Sequence, residues 1–174
     1  MLGNYFAADI KTAIITKDSP RQKLFKRLQN RILRKVEKDT IKRHKNNPRP
    51  NKIERCLGVF IEMLEPQVRS AVLELNRKGY STDTSGFMSN NPCDQKIEGD
   101  FRLNEDVVQK LNLIGVGVET NPSGYTIIQF SPKEADIKKI KKQWDKIVSM
   151  IPNKNQITSL SMTHRARDFR TEYH

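Results

Sequence analysis

Gln95-Lys96-Ile97-Glu98-Gly99-Asp100-Phe101-Arg102-Leu103 alternates without a break. Ile97, Gly99, Phe101 and Leu103 fall on one side, and Lys96, Glu98, Asp100 and Arg102 on the other, which is the period of a strand with one wet face. Tyr80 to Met88 reads as the preceding strand, polar for its type, with Ser81, Thr82, Asp83, Thr84 and Ser85 in succession. On the other side, Leu103-Asn104-Glu105-Asp106 turns into a short helix carrying Val107, Val108 and Leu111. Val116, Val118 and Thr120 form a third strand, Asn121-Pro122-Ser123-Gly124 a turn, and Tyr125 to Phe130 the hairpin partner.

Helical spacing governs the flanks of this four-strand region. Downstream, Ser131-Pro132-Lys133-Glu134 is a helix opening in which serine caps, proline takes the first helical position and glutamate bonds back to the cap. Ile137, Ile140, Trp144, Ile147, Val148 and Ile151 then line one face, and five lysines, Lys138, Lys139, Lys141, Lys142 and Lys146, occupy much of the rest. Upstream, a helix from near Asn51 places Ile53, Leu57, Phe60 and Leu64 on a common face as far as Pro66. Val68, Ala71, Val72 and Leu75 continue the period to Arg77-Lys78-Gly79, a suitable C-terminus. The order helix-strand-strand-helix-strand-strand-helix predicts an α+β fold over residues 51–154, a two-layer sandwich with a mostly antiparallel four-stranded sheet.

Residues 1–50 read as a basic helical arm on this core and residues 155–174 as a basic tail, in which Ile157, Leu160 and Met162 make a short docked strand. Ser19-Pro20-Arg21-Gln22 opens the arm helix, Leu24, Phe25, Leu28, Ile32 and Val36 form its apolar face, and Asn46-Asn47-Pro48-Arg49-Pro50 breaks it. A chain of 174 residues suits one core with an appendage.

Charge separates the arm from the core. Residues 1 to 52 hold 15 of the 32 Lys and Arg against 4 acids, whereas residues 53 to 132 carry 7 bases and 11 acids. Within the arm, Lys23, Arg27, Arg31, Arg34, Lys38, Lys42 and Lys45 share one stripe about 100° wide at helical spacing. Like charges stacked three and four residues apart repel. Phosphates compensate such a stripe, since several cations along one edge neutralise several backbone charges and release their counterions. A solvated surface, an anionic lipid surface and an acidic protein partner compete for the same feature. The apolar side of the helix packs on the core or on a second copy, so a homo-oligomer through that face is an open expectation.

No apolar run approaches the length needed to span a bilayer, and Asp9 and Lys11 interrupt the opening stretch, so a soluble, cytoplasmic protein without a signal peptide is expected. Cys56 and Cys93 have no second cysteine or histidine at ligand spacing, and neither a metal nor a cofactor is expected. Cys56 is expected to be a small buried hydrophobe and Cys93 to lie in a loop. Catalytic chemistry has only scattered candidates: Asp83 and Ser85 in the hydroxyl-rich strand, Glu98 and Asp100 on one face of the next, and His164 beside the tail arginines. The segment around Gly86 lacks the lysine and glycines of a phosphate-binding loop. The leading expectation is therefore a nucleic-acid-binding protein, RNA slightly favoured, that holds phosphates with the arm stripe and with Arg165, Arg167 and Arg170. A small enzyme acting on a phosphorylated or nucleic-acid substrate, and a module docking on an acidic protein, are the alternatives.

Overall fold

The computed structural model describes residues 18–154; the proposed tail strand, His164 and the three tail arginines lie outside them. Helix α1 spans Pro20–Asn46, α2 Lys52–Leu57, α3 Arg69–Arg77, α4 Glu105–Leu113 and α5 Ile137–Ser149. Strands β1 (Thr84–Phe87), β2 (Gln95–Asp100), β3 (Gly117–Thr120) and β4 (Tyr125–Phe130) form one antiparallel sheet in the order β1-β2-β4-β3. The fold is α+β, as the alternation from Gln95 predicts. Among the described residues no helix is long and apolar enough to cross a membrane.

Register puts Ile97 opposite both Ser85 and Ile128, and Gln95 opposite Phe87 and Phe130. Directly opposed residues share a face, so Phe87, Ile97, Ile128 and Phe130 point together into the core, where all are buried. Against them lie Val68, Ala71, Val72 and Leu75 from α3 and its approach, and Ile140, Trp144, Ile147 and Val148 from α5. Trp144 stands edge-on to Phe130 with centroids 4.9 Å apart, and Tyr80 edge-on to Phe101 at 5.6 Å. Phe25, Leu28 and Ile32 bring α1 into the same cluster. The second sheet face carries Lys96, Glu98, Asp100, Tyr125, Ile127, Gln129 and Glu119, all half-buried or exposed.

Four local expectations are corrected. The helix from Asn51 does not run on to Leu64, because Gly58 takes a left-handed φ of 72° and ends it. The chain then makes a short 3-10 turn at Ile61–Met63. With the helix cut short, Ile53 and Met63 are exposed, and so is Cys56, which is not the buried hydrophobe expected, while Cys93 is buried. Helix α5 is capped by Asp136, whose carboxylate accepts from the Lys138 and Lys139 amides at 2.8 and 3.1 Å, and not by Ser131, whose hydroxyl donates to Asp94. Strand β1 is shorter than Tyr80–Met88. Tyr80 sinks into the core with its hydroxyl on the Pro152 carbonyl, and residues 81–82 cross closely over Gly99.

Candidate nucleic-acid interface

Helix α1 is built as a fixed rod. The Ser19 hydroxyl accepts from the Gln22 amide and the Gln22 side chain accepts from the Ser19 amide, closing both ends of a capping box. Arg43, His44 and Lys45 occupy the last turn, where the helix dipole favours cations.

Ten of the eleven Lys and Arg of α1 divide into two sets, and the eleventh, Lys35, is exposed beside the stripe without an ion pair among the described residues. Arg21, Lys26 and Arg43 are engaged by the protein. Arg21 donates to the Pro132 and Lys133 carbonyls, the latter at 3.0 Å, and its guanidinium lies over the Phe25 ring. Lys26 pairs with Asp18 at 2.7 Å. Arg43 reaches Glu54 at 2.8 Å and Glu62 at 3.5 Å, and stacks over Phe60. Lys23, Arg27, Arg31, Arg34, Lys38, Lys42 and Lys45 are the second set. All seven are exposed, and none forms an ion pair with a described residue.

The stripe points away from the core, about 130° around the helix from the direction of Phe25, Leu28 and Ile32 at 100° per residue. Leu24 and Ile41 flank it and are 55% and 62% exposed. On α5, Lys139 pairs with Glu134 and Lys141 with Asp145, while Lys138, Lys142 and Lys146 are exposed without an ion pair among the described residues.

The catalytic candidates fall around two places, with Asp83 at the junction, since it borders a cavity and also acts with Glu98 on the Tyr125 phenol. Asp83 and Ser85 line a cavity of about 290 Å³ walled by Leu33, Val36, Leu57, Leu64 and Val72, with Glu65 beside them. Glu98 and Asp100 lie on the second sheet face and do not line that cavity. Burial opposes the charge of Glu98, but hydrogen bonds from Lys96 and Thr84, with the charge of Lys96, hold its carboxyl below the usual range. Tyr125 stands opposite Asp100 in register. Burial, then the negative charges of Glu98 and Asp83, raise its phenol above the ordinary value. Among the described residues no three His, Cys, Asp or Glu gather in a way that could hold a metal ion.

Residue spacing does not reveal Glu65. Its carboxylate accepts from the Gln67 side chain and, at 3.3 Å, from the Phe87 amide of β1. Burial raises its pKa against the pull of those two bonds. Pro66 next to it could have marked a chain reversal, but nothing in the sequence signals its contact with β1. Comparisons with protein-family models, with curated proteins and with solved structures found no match, so the features of this chain alone carry the functional reading.

Proposed function

We propose that the protein binds nucleic acid in the cytoplasm, RNA slightly favoured over DNA, by holding phosphates along the exposed edge of α1. The supporting observation is the division among the helix cations. Three are engaged by the fold, and seven in one line have no carboxylate partner among the described residues. Their mutual repulsion is relieved when phosphates lie along the line and release their counterions. Arg165, Arg167 and Arg170 extend the basic surface in this proposal.

A gel-shift series with mixed RNA and DNA across increasing salt tests it. Affinity is expected to fall steeply with salt, and Arg27→Glu, Arg31→Glu, Arg34→Glu and Lys38→Glu together are expected to abolish binding. Tight binding that survives the four reversals sinks the reading. Exposed Leu24 and Ile41 beside the stripe favour a second reading, an acidic protein partner with apolar side chains. Under it, an oligonucleotide competes poorly for a partner captured in a pull-down.

A further inference from the structure

The seven cations keep a repeat. Lys23, Arg34 and Lys45 are spaced by 11 residues, as are Arg27 and Lys38, and Arg31 and Lys42. A step of 11 residues returns to within about 20° of the same direction on an α-helix, so the line barely winds around the axis. It runs for roughly 33 Å at 1.5 Å per residue. Both ends are clamped, by Arg21 on the 132–133 carbonyls and by Arg43 on Glu54 and Glu62, and the middle is anchored by Leu28 and Ile32.

We infer that this rail takes a double helix rather than a single strand, lying lengthwise against the phosphate backbone without reading bases. The inference rests on the reading of α1 as a nucleic-acid interface and specifies the form of its substrate. A rigid row of charges laid along a duplex meets phosphates of both strands at positions the duplex already fixes, with little ordering cost, whereas a single strand must be ordered to lie against it. The roughly 33 Å of rail is close to one turn of duplex, about 34 to 36 Å. Duplex also has the denser charge, so each neutralised phosphate contributes more counterion release, with a coefficient of about 0.9 against about 0.7 for single strands.

Single-strand binders add aromatic platforms on which bases stack. The only aromatic side chains of α1 are Phe25, which is 1% exposed, and His44, which stands edge-on to Phe60. The crest of the helix is cationic along its whole length and its flanks are apolar at Leu24 and Ile41, which suits a backbone and offers no base edge a matched donor and acceptor.

The full chain is titrated by fluorescence anisotropy with duplex RNA and duplex DNA of about 20 base pairs, near two turns, and with each of their separated strands, over a salt series. At matched salt at least one duplex is expected to bind about tenfold or more tighter than its strands. The log–log salt slope should approach about −6, as for seven phosphates on B-form duplex, and scrambling the sequence should leave affinity unchanged. Arg31→Gln with Lys38→Gln should reduce the slope by about two, one per lost contact, while Lys26→Gln leaves it unchanged. Strands that bind as tightly as their own duplex for both RNA and DNA, or an affinity that follows sequence, overturn the inference and leave nucleic-acid binding standing. No binding by any of the six probes overturns both.

Discussion

The Arg43 guanidinium and the Glu54 carboxylate meet at 2.8 Å with 13% and 2% of their side chains exposed, which makes Arg43 the inward-turned cation at the end of α1. Glu54 also accepts from the Asn51 and Ile61 amides at 2.7 and 3.3 Å, so one carboxylate joins the end of α1, the cap of α2 and the 3-10 turn. Removing one partner of a buried pair leaves the other charge uncompensated. Arg43→Ala is therefore expected to lower the melting temperature by several degrees, and Arg34→Ala, on the exposed stripe, to leave it unchanged. Thermal unfolding followed by circular dichroism compares the two, and equal shifts would refute the division of the helix cations.

Acid should act on Glu54 and Glu65 with opposite signs. The Asn51 amide, then the Ile61 amide and Arg43, outweigh burial and hold Glu54 below its ordinary pKa. Its contribution is present above the unfolded carboxylate pKa and is lost as pH falls through the lowered value. Glu65 is raised by burial, so the folded state binds its proton more tightly than the unfolded state does. Its ionisation costs stability as pH rises from the unfolded pKa through the raised one. Glu65→Gln is expected to be at least as stable as the parent at pH 7 and to lose that advantage near pH 4, as read by urea midpoints at the two pH values. A variant weaker than the parent at pH 7 contradicts the assignment.

Two glycines should respond differently to alanine. A Cβ at Gly99 would sit 2.1 Å from the Ser81 carbonyl oxygen and 2.8 Å from the Thr82 Cα, both backbone atoms that cannot swing aside. Gly99→Ala is expected to cost about 3 kcal/mol, the upper range for overpacking. At Gly58 a Cβ meets nothing within 4 Å, and only the left-handed φ of 72° resists it, so Gly58→Ala should cost about 1 kcal/mol. Chemical denaturation gives both values, and their reversal would show the crossing at 81–82 to be looser than described.

Trp144 is the only tryptophan of the chain, it is fully buried, and its indole Nε1 has no hydrogen-bond partner among the described residues. Trp144→Ala is expected to cost about 3 to 5 kcal/mol through the cavity it leaves. Trp144→Phe keeps the edge-on contact to Phe130 and deletes an unpaired buried donor, so its cost should be less than half as large. Denaturant midpoints of the two variants decide it.

Much of the fold is legible in residue spacing because burial on one face imposes a period. The alternation from Lys96 to Arg102 and the helical recurrence from Phe25 to Ile32 and from Ile140 to Ile151 each reappear as buried sides of elements. Stops are harder to read than periods. Leu57, Phe60 and Leu64 keep helical spacing across Gly58, and only the left-handed backbone there shows that the recurrence is coincidental. At α5 both Ser131 and Asp136 are competent caps, and the pull of Asp94 on the Ser131 hydroxyl accompanies the later start. Exposure of the seven stripe cations follows from spacing opposite an apolar face. The engagement of Arg21, Lys26 and Arg43 does not, because their partners at 132–133, Asp18, Glu54 and Glu62 lie outside the helix itself.

The Glu65 carboxylate on the Phe87 amide has a consequence for how the molecule behaves in a crowded solution. Strand β1 is an outer strand of the sheet, and open outer strands invite another chain to pair with them and grow into fibres. With the Phe87 N–H already bonded and the Glu65 carboxyl group seated against Gly86, an incoming strand finds one of its bonds taken and a side chain in its path. The side chain that ties the approach to α3 onto β1 thus also blunts this edge against edge-to-edge pairing.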